Sequence, residues 1–243
     1  MSQKPPSGIE KSLNLDFRND NNEIWLTSQY TLRRLVGILG VCLPLLLFLV
    51  LFLDSGINYP LDSISHYYYT RANPVFVIVV SLLGIFLLVY KGKEPVDLVL
   101  SSLAGIAALC LLLFPTSNIS NLWQDPAHPE SIMILRDNPS RILLHYICSG
   151  IFLASLAYMS AFLFTRSDKP PALRTKKKRM RNRVFRTCAV VMLLSLLVIL
   201  ANFVGLLDDE LFDRFNLTFW METIALEAFG ISWLVKGELI LEG

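Results

Sequence analysis

The chain has 243 residues, 53% of them hydrophobic and 17% charged, with a net charge of +2 and a mean hydropathy of +0.51. A soluble domain carries about 25% charged residues, so this composition argues against a soluble globular protein. The small net charge points to neither an acidic nor a basic partner.

Residues 1–22 are polar, with Pro5, Pro6 and a run rich in Asn and Asp, and they read as a disordered tail. The segment NEIWLTSQYTLRR follows. In it Trp25 and Tyr30 fit the headgroup level, and Arg33 and Arg34 pin the inner end of the first apolar run. Six such runs can be read, at 35–53, 74–90, 96–114, 142–164, 184–207 and 215–235. Each is close to the ~17–25 residues that a ~30 Å hydrocarbon layer requires. The runs are continuous rather than alternating, which argues against a β-barrel. The expected fold class is all-α, a polytopic membrane helix bundle with six transmembrane helices. Its parts would be a polar tail with an interfacial segment (1–32), the bundle (33–236) and a C-terminal tail (237–243).

Between the first and second runs lies LDSISHYYYTRANP. Ser63 or Ser65 fits a helix N-cap, and Tyr67, Tyr68 and Tyr69 fit an aromatic belt at the membrane surface. His66 is left over. Lys91–Lys93 marks a tight hairpin into the third run, where Asp97 reads as a cap favoured by the helix dipole. Loop 115–141 carries four prolines and reads as coil, with a short helix around 131–135.

The distribution of basic residues sets the orientation. With both termini cytoplasmic, 18 of the 22 Lys and Arg residues lie inside, and only Arg71, Arg136, Arg141 and Arg214 lie outside. Short loops biased this way follow the positive-inside rule. No secretory signal precedes the first run, which reads as an uncleaved anchor. The loop TRSDKPPALRTKKKRMRNRVFR holds Lys176, Lys177, Lys178, Arg179, Arg181 and Arg183. Juxtamembrane clusters of this kind contact anionic lipid, at about 1 kcal/mol per residue, rather than nucleic acid. Cys42, Cys110, Cys148 and Cys188 fall in or beside the runs without disulfide or metal spacing, and read as packing residues.

Polar residues inside apolar runs are costly and are functional candidates. In this topology His66 and Arg71 flank the second run's outer end, and His145 and Ser149 share one face of the fourth. Asn202 falls in the outer quarter of the fifth. Glu222 lies near the outer boundary of the sixth, with Glu227 closer to mid-membrane. Five positions separate the two carboxylates, about 140° around a helix, so they do not form one pair.

The segments DSISHYYYTRANPVFV, GIFLLVYKG, FPT, HYICSGIFLASLAYMSAFLFT, KRMRNRVFR and ALEAFGISWLVKGE carry a resemblance. Through them the chain, from Tyr59 onward, resembles bacterial six-span integral membrane proteins of unknown function. More distantly it is similar to the DRAM, Frag and Sfk type, which implies lipid organisation or autophagy rather than a defined reaction. It also looks like ceramidase and progestin-receptor-like membrane hydrolases at Ser63, Ser65 and His66. It lacks their HxxxH and one of their spans, so their chemistry is not carried over.

The expected function is an integral protein of the bacterial inner (cytoplasmic) membrane, binding a lipid or small amphiphile without a cofactor. Its polar cluster would be His66, Arg71, His145, Ser149, Asn202, Glu222 and Glu227, near the outer leaflet. Two alternatives use the same residues. One is a metal-assisted lipid hydrolase with zinc or another divalent metal on His66 and His145. The other is a proton-coupled transporter or channel in which Glu227 titrates. A pore would need a homo-oligomer; the partners otherwise expected are membrane lipids.

Overall fold

The computed structural model describes residues 28–92, 94–167 and 170–241. The polar tail 1–22, Trp25, Lys93 and the last two residues of the C-terminal tail lie outside the described residues. Seven α-helices run through that range: α1 (Gln29–Ser55), α2 (Asn73–Val89), α3 (Pro95–Leu113), α4 (Pro139–Tyr158), α5 (Lys176–Phe203), α6 (Asp209–Phe215) and α7 (Leu217–Lys236). A 3-10 helix spans Ile64–Tyr69, and α4 continues through a π-helical turn at Met159–Leu163. The described residues contain no strand.

Four helices are long and apolar enough to cross a membrane: α1, α3, α4 with its π turn, and α5. α2 is apolar but has only 17 residues. α7 has 20 residues, and Glu222 and Glu227 dilute its hydropathy. These features are compatible with an integral membrane protein.

Local chemistry sets the helix ends. Gly56, in the left-handed region at φ 69°, closes α1 by donating its N–H to Phe52 O at 2.9 Å. Pro95 opens α3, where Asp97 Oδ2 accepts from the Glu94 N–H at 2.9 Å, one half of a capping box. Asn138 is the N-cap of α4, its Oδ1 accepting from the Ser140 and Arg141 N–H groups. α5 starts eight residues earlier than the apolar run at 184, because Thr175 accepts from the Lys178 N–H at 3.1 Å and the Lys/Arg/Met stretch favours helix. The basic loop is therefore half helix. In loop 115–141 the expected helix around 131–135 does not form; Ile132 instead donates its N–H to Tyr69 O at 2.9 Å.

Six of the helices close into a ring in the order α1, α2, α3, α4, α5, α7, each packed chiefly on its two neighbours, with α7 returning to α1. The core fills the inside of the ring, with Leu47, Leu83, Leu156, Phe229 and Trp233 fully buried. The outside is apolar too. Leu53 is 71% exposed and Leu113 72%, alongside Val99, Ile78 and Phe162. Soluble monomers do not present apolar surface on this scale.

Two seams rest on glycine. A Cβ on Gly230 of α7 would stand 2.7 Å from Gly37 O of α1, and one on Gly105 of α3 would stand 2.7 Å from Gly84 O of α2. Missing side chains let the backbones touch, as is common between helices in lipid. Arg34 reinforces the first seam by donating from Nε to Gly237 O at 2.8 Å.

The glycine contacts can be tested against an internal control. A Cβ on Gly150 of α4 would meet nothing within 4 Å. Gly150→Ala should leave the stability in detergent, followed through the thermal midpoint, unchanged or raise it by up to about 1 kcal/mol. Gly105→Ala and Gly230→Ala should lower it by about 1–3 kcal/mol through overpacking. Equal effects at all three positions would contradict the close seams.

Candidate functional site

The connector between α1 and α2 folds back into one end of the ring instead of lying along its rim. Ser63 is extended and its Oγ accepts from the His66 N–H at 3.2 Å, starting the 3-10 turn. Three bonds from the start of α7 hold the turn in place. Phe219 donates its N–H to Asp62 O and Asn216 donates from Nδ2 to Pro60 O, both at 2.9 Å. Glu222 Oε2 accepts the Ile64 N–H at 2.6 Å.

This placement corrects the aromatic belt. Tyr67 and Tyr69 are 0% exposed, and Tyr69 donates its hydroxyl to Thr116 O at 2.5 Å. Desolvation pushes both phenols up to about 12. Tyr67 and Tyr69 face inward because the 3-10 turn is pulled into the bundle by α7, while Tyr68 is half-buried.

Ser65 does not cap the turn; Ser63 does. Ser65 Oγ lies 3.0 Å from His145 Nε2, and His145 Nδ1 lies 2.9 Å from Phe114 O. A carbonyl can only accept, so Nδ1 carries a proton and donates to Phe114 O, which leaves Nε2 to bond Ser65 Oγ. His66 Nδ1 sits 3.1 Å from Ser63 Oγ. Desolvation lowers the His66 pKa from its usual value, against an opposing pull from Asp62.

A groove of about 590 Å³ opens beside these groups, between α4, α5 and the start of α7. Its walls are apolar, with Leu143, Ile147 and Leu153 from α4 facing Leu196, Ile199 and Leu200 from α5. Its head is polar. Of the seven residues expected there, the groove brings together His66, His145, Ser149, Asn202 and Glu222. Asn202 is fixed by donating from Nδ2 to Asp209 Oδ1 at 2.8 Å. Arg71 is exposed and does not line the groove. Glu227 lies further along α7, half-buried, and lines neither this groove nor the interior cavity beside it. That cavity, of about 60 Å³, shares Ser65, Ser149 and Glu222 with the groove and is otherwise apolar.

Sequence reasoning did not single out Thr116 or Asp213, which also line the groove. The serine–histidine bond joins residues 80 positions apart and left no local signal.

The two imidazoles have partners other than a metal. Among the described residues no group of three or more His, Cys, Asp or Glu side chains is placed to hold an ion. The four cysteines are free. Of the lysines and arginines expected on lipid, Lys176, Lys177, Arg179 and Arg183 are exposed along the first turns of α5, while Lys178 and Arg181 line a separate basin at the opposite end of the ring. No known protein family, curated protein or solved structure matches this chain.

Glu222 makes a separable prediction. Glu222→Leu leaves the buried Ile64 N–H without an acceptor, a loss of about 1–3 kcal/mol. Glu222→Gln keeps a carbonyl oxygen for that N–H and should be milder. Amide hydrogen exchange at 61–70 should accelerate strongly in the leucine variant and weakly in the glutamine one. Unchanged exchange in both would show that the carboxylate does not hold the turn.

Proposed function

We propose that this protein binds a lipid or other single-chain-sized amphiphile in the groove between α4 and α5. The observation that carries this reading is the division of one 590 Å³ space into an apolar wall and a hydrogen-bonding head. Such a space has the size and lining typical of small-molecule sites, which are mostly apolar with a few placed polar groups. Acyl carbons would lie against Leu143, Ile147, Leu196 and Leu200. The headgroup would meet Ser65, His145, Asn202 and Glu222, where neutral imidazole and hydroxyl can donate or accept without a charge being left unpaired.

The same proposal includes the topology. α2 and α7 act as spans together with the four longer helices, giving six, with both termini and the basic loop on the cytoplasmic side of a bacterial inner membrane. Support comes from the ring order, which gives α2 and α7 the same packed position as the others, and from the positive-inside bias. The groove head then faces the outer leaflet. The resemblance to bacterial six-span membrane proteins, and the more distant one to the DRAM, Frag and Sfk type, accord with that placement.

Gly150 supplies the test, because it lines the groove and has free space beside its Cα. Purified wild type should carry a near-stoichiometric lipid by mass spectrometry after delipidating washes. Gly150→Phe, which fills the groove without touching a helix seam, should lose at least three-quarters of it while keeping its thermal midpoint. Equal retained lipid in the two proteins would overturn the reading.

A further inference from the structure

The opposite end of the ring holds a second space, larger and of different chemistry. It is a basin of about 690 Å³ where the ends of all six ring helices meet. α1 contributes Tyr30 and Arg33, Tyr90 follows α2, and Asp97 stands in the first turn of α3. Arg166 follows the π turn of α4, Lys178 and Arg181 stand in the first turns of α5, and Lys236 ends α7. With Arg174, six cationic side chains face three carboxylates.

The carboxylates are already engaged. Glu94 and Asp97 both pair with Arg166 Nη1, at 3.0 and 3.3 Å. Glu238 pairs with Arg181 Nη1 at 2.9 Å, while Arg181 Nη2 donates to Val235 O. Lys236 makes no hydrogen bond or close ion pair among the described residues, with Asp97 acting on it only at longer range; its Nζ sits 5.0 Å over the Phe164 ring, half-buried. Arg33 donates from Nη2 to Gln29 and stacks on Tyr30 and Tyr90 at 5.8 and 5.5 Å, while its buried Nε has no acceptor. Like charges held together at this depth repel unless an anion joins them, and each would form a charge-assisted bond to one. The positive-inside rule requires cations near the loops. It does not require that cations more than 200 positions apart in the chain, Arg33 and Lys236, enclose one volume.

We propose that this basin is a binding site for a phosphate-bearing anion. Arg33 and Lys236 are its principal ligands, and Lys178, Arg174 and Arg181 complete the positive wall. Arginine's planar fork and lysine's point charge are the two side chains that recognise phosphate. The volume accommodates a diphosphate or a phosphate monoester with a small organic group. Two sources carry that chemistry, a soluble phosphorylated metabolite and the headgroup of an anionic phospholipid reaching in between helix ends.

The test uses the full chain in nanodiscs of zwitterionic phosphatidylcholine, with inorganic pyrophosphate titrated in by calorimetry. Saturable binding is expected. Lys236→Gln and Arg33→Gln should each weaken it at least tenfold, and Lys177→Gln, at an exposed cation of the first turn of α5, less than twofold. Unliganded thermal midpoints of the four proteins establish that each is folded, and the two basin variants stand in for one another if one is not. Adding phosphatidic acid to the nanodiscs separates the sources. Pyrophosphate binding abolished by the lipid identifies a headgroup site, and binding that persists identifies a soluble ligand. Absence of pyrophosphate binding to wild type, or an equal loss in Lys177→Gln, overturns the proposal.

Discussion

The bundle depends on the seam between its first and last long helices. α1 and α7 are separated by most of the chain, yet Gly230 and Gly37 bring their backbones into contact and Arg34 ties onto the carbonyl of Gly237. Without that contact six helices in sequence order would form an open arc. With it they form a closed ring, and α7 becomes a part of both ends. Its first turns hold the 3-10 segment through Asn216, Phe219 and Glu222, and its last residue places Lys236 among the cations of the basin. Small residues are what make such a seam available where burial of apolar surface alone does not drive helices together.

The helical class and most run boundaries were readable because length and continuity of apolar residues are a strong signal. α1 and α3 fall within a few residues of the runs that suggested them. The start of α5 was not readable from hydropathy, since eight residues, seven of them basic or polar, continue the helix outside the apolar run. The site was readable in part. His145 and Ser149 recur on one helical face, and Glu222 follows from a costly charge in an apolar stretch. Of the two serines that fitted the cap, Ser63 takes that role, while the bond of Ser65 to His145 is a product of tertiary folding that no local pattern reveals. The tyrosines were misplaced for a related reason. An aromatic triplet at a run's edge has the composition of a membrane belt, and only the clamp from α7 turns it inward.

The two carboxylates of α7 show why position matters more than residue type. Glu222 has a backbone N–H at 2.6 Å and lines a space open to the groove. Glu227 has no hydrogen-bond partner among the described residues, and neither cavity reaches it. A carboxylate that relays protons across a bundle needs a polar route on both sides of it. Glu227 lines neither the groove, the interior cavity nor the basin.

What fills that interior is aromatic. Phe152, beside the small cavity, packs on Phe229 with ring centres 6.3 Å apart; Phe229 meets Trp233 at 6.1 Å, Trp233 meets Phe164 at 5.3 Å, and Phe164 meets Phe185 at 5.6 Å. The π turn of α4 helps set this column. Ser160 donates to Phe185 O at 2.8 Å and lies 2.6 Å from Ser232 Oγ, bringing Phe164 against Trp233. The column ends at Phe164, on which Lys236 rests. One set of packed aromatic side chains thus runs from beside the groove toward the basin. The two proposed sites therefore lie at opposite ends of one packed aromatic column, the amphiphile groove on the lateral wall and the anion basin at the basic mouth.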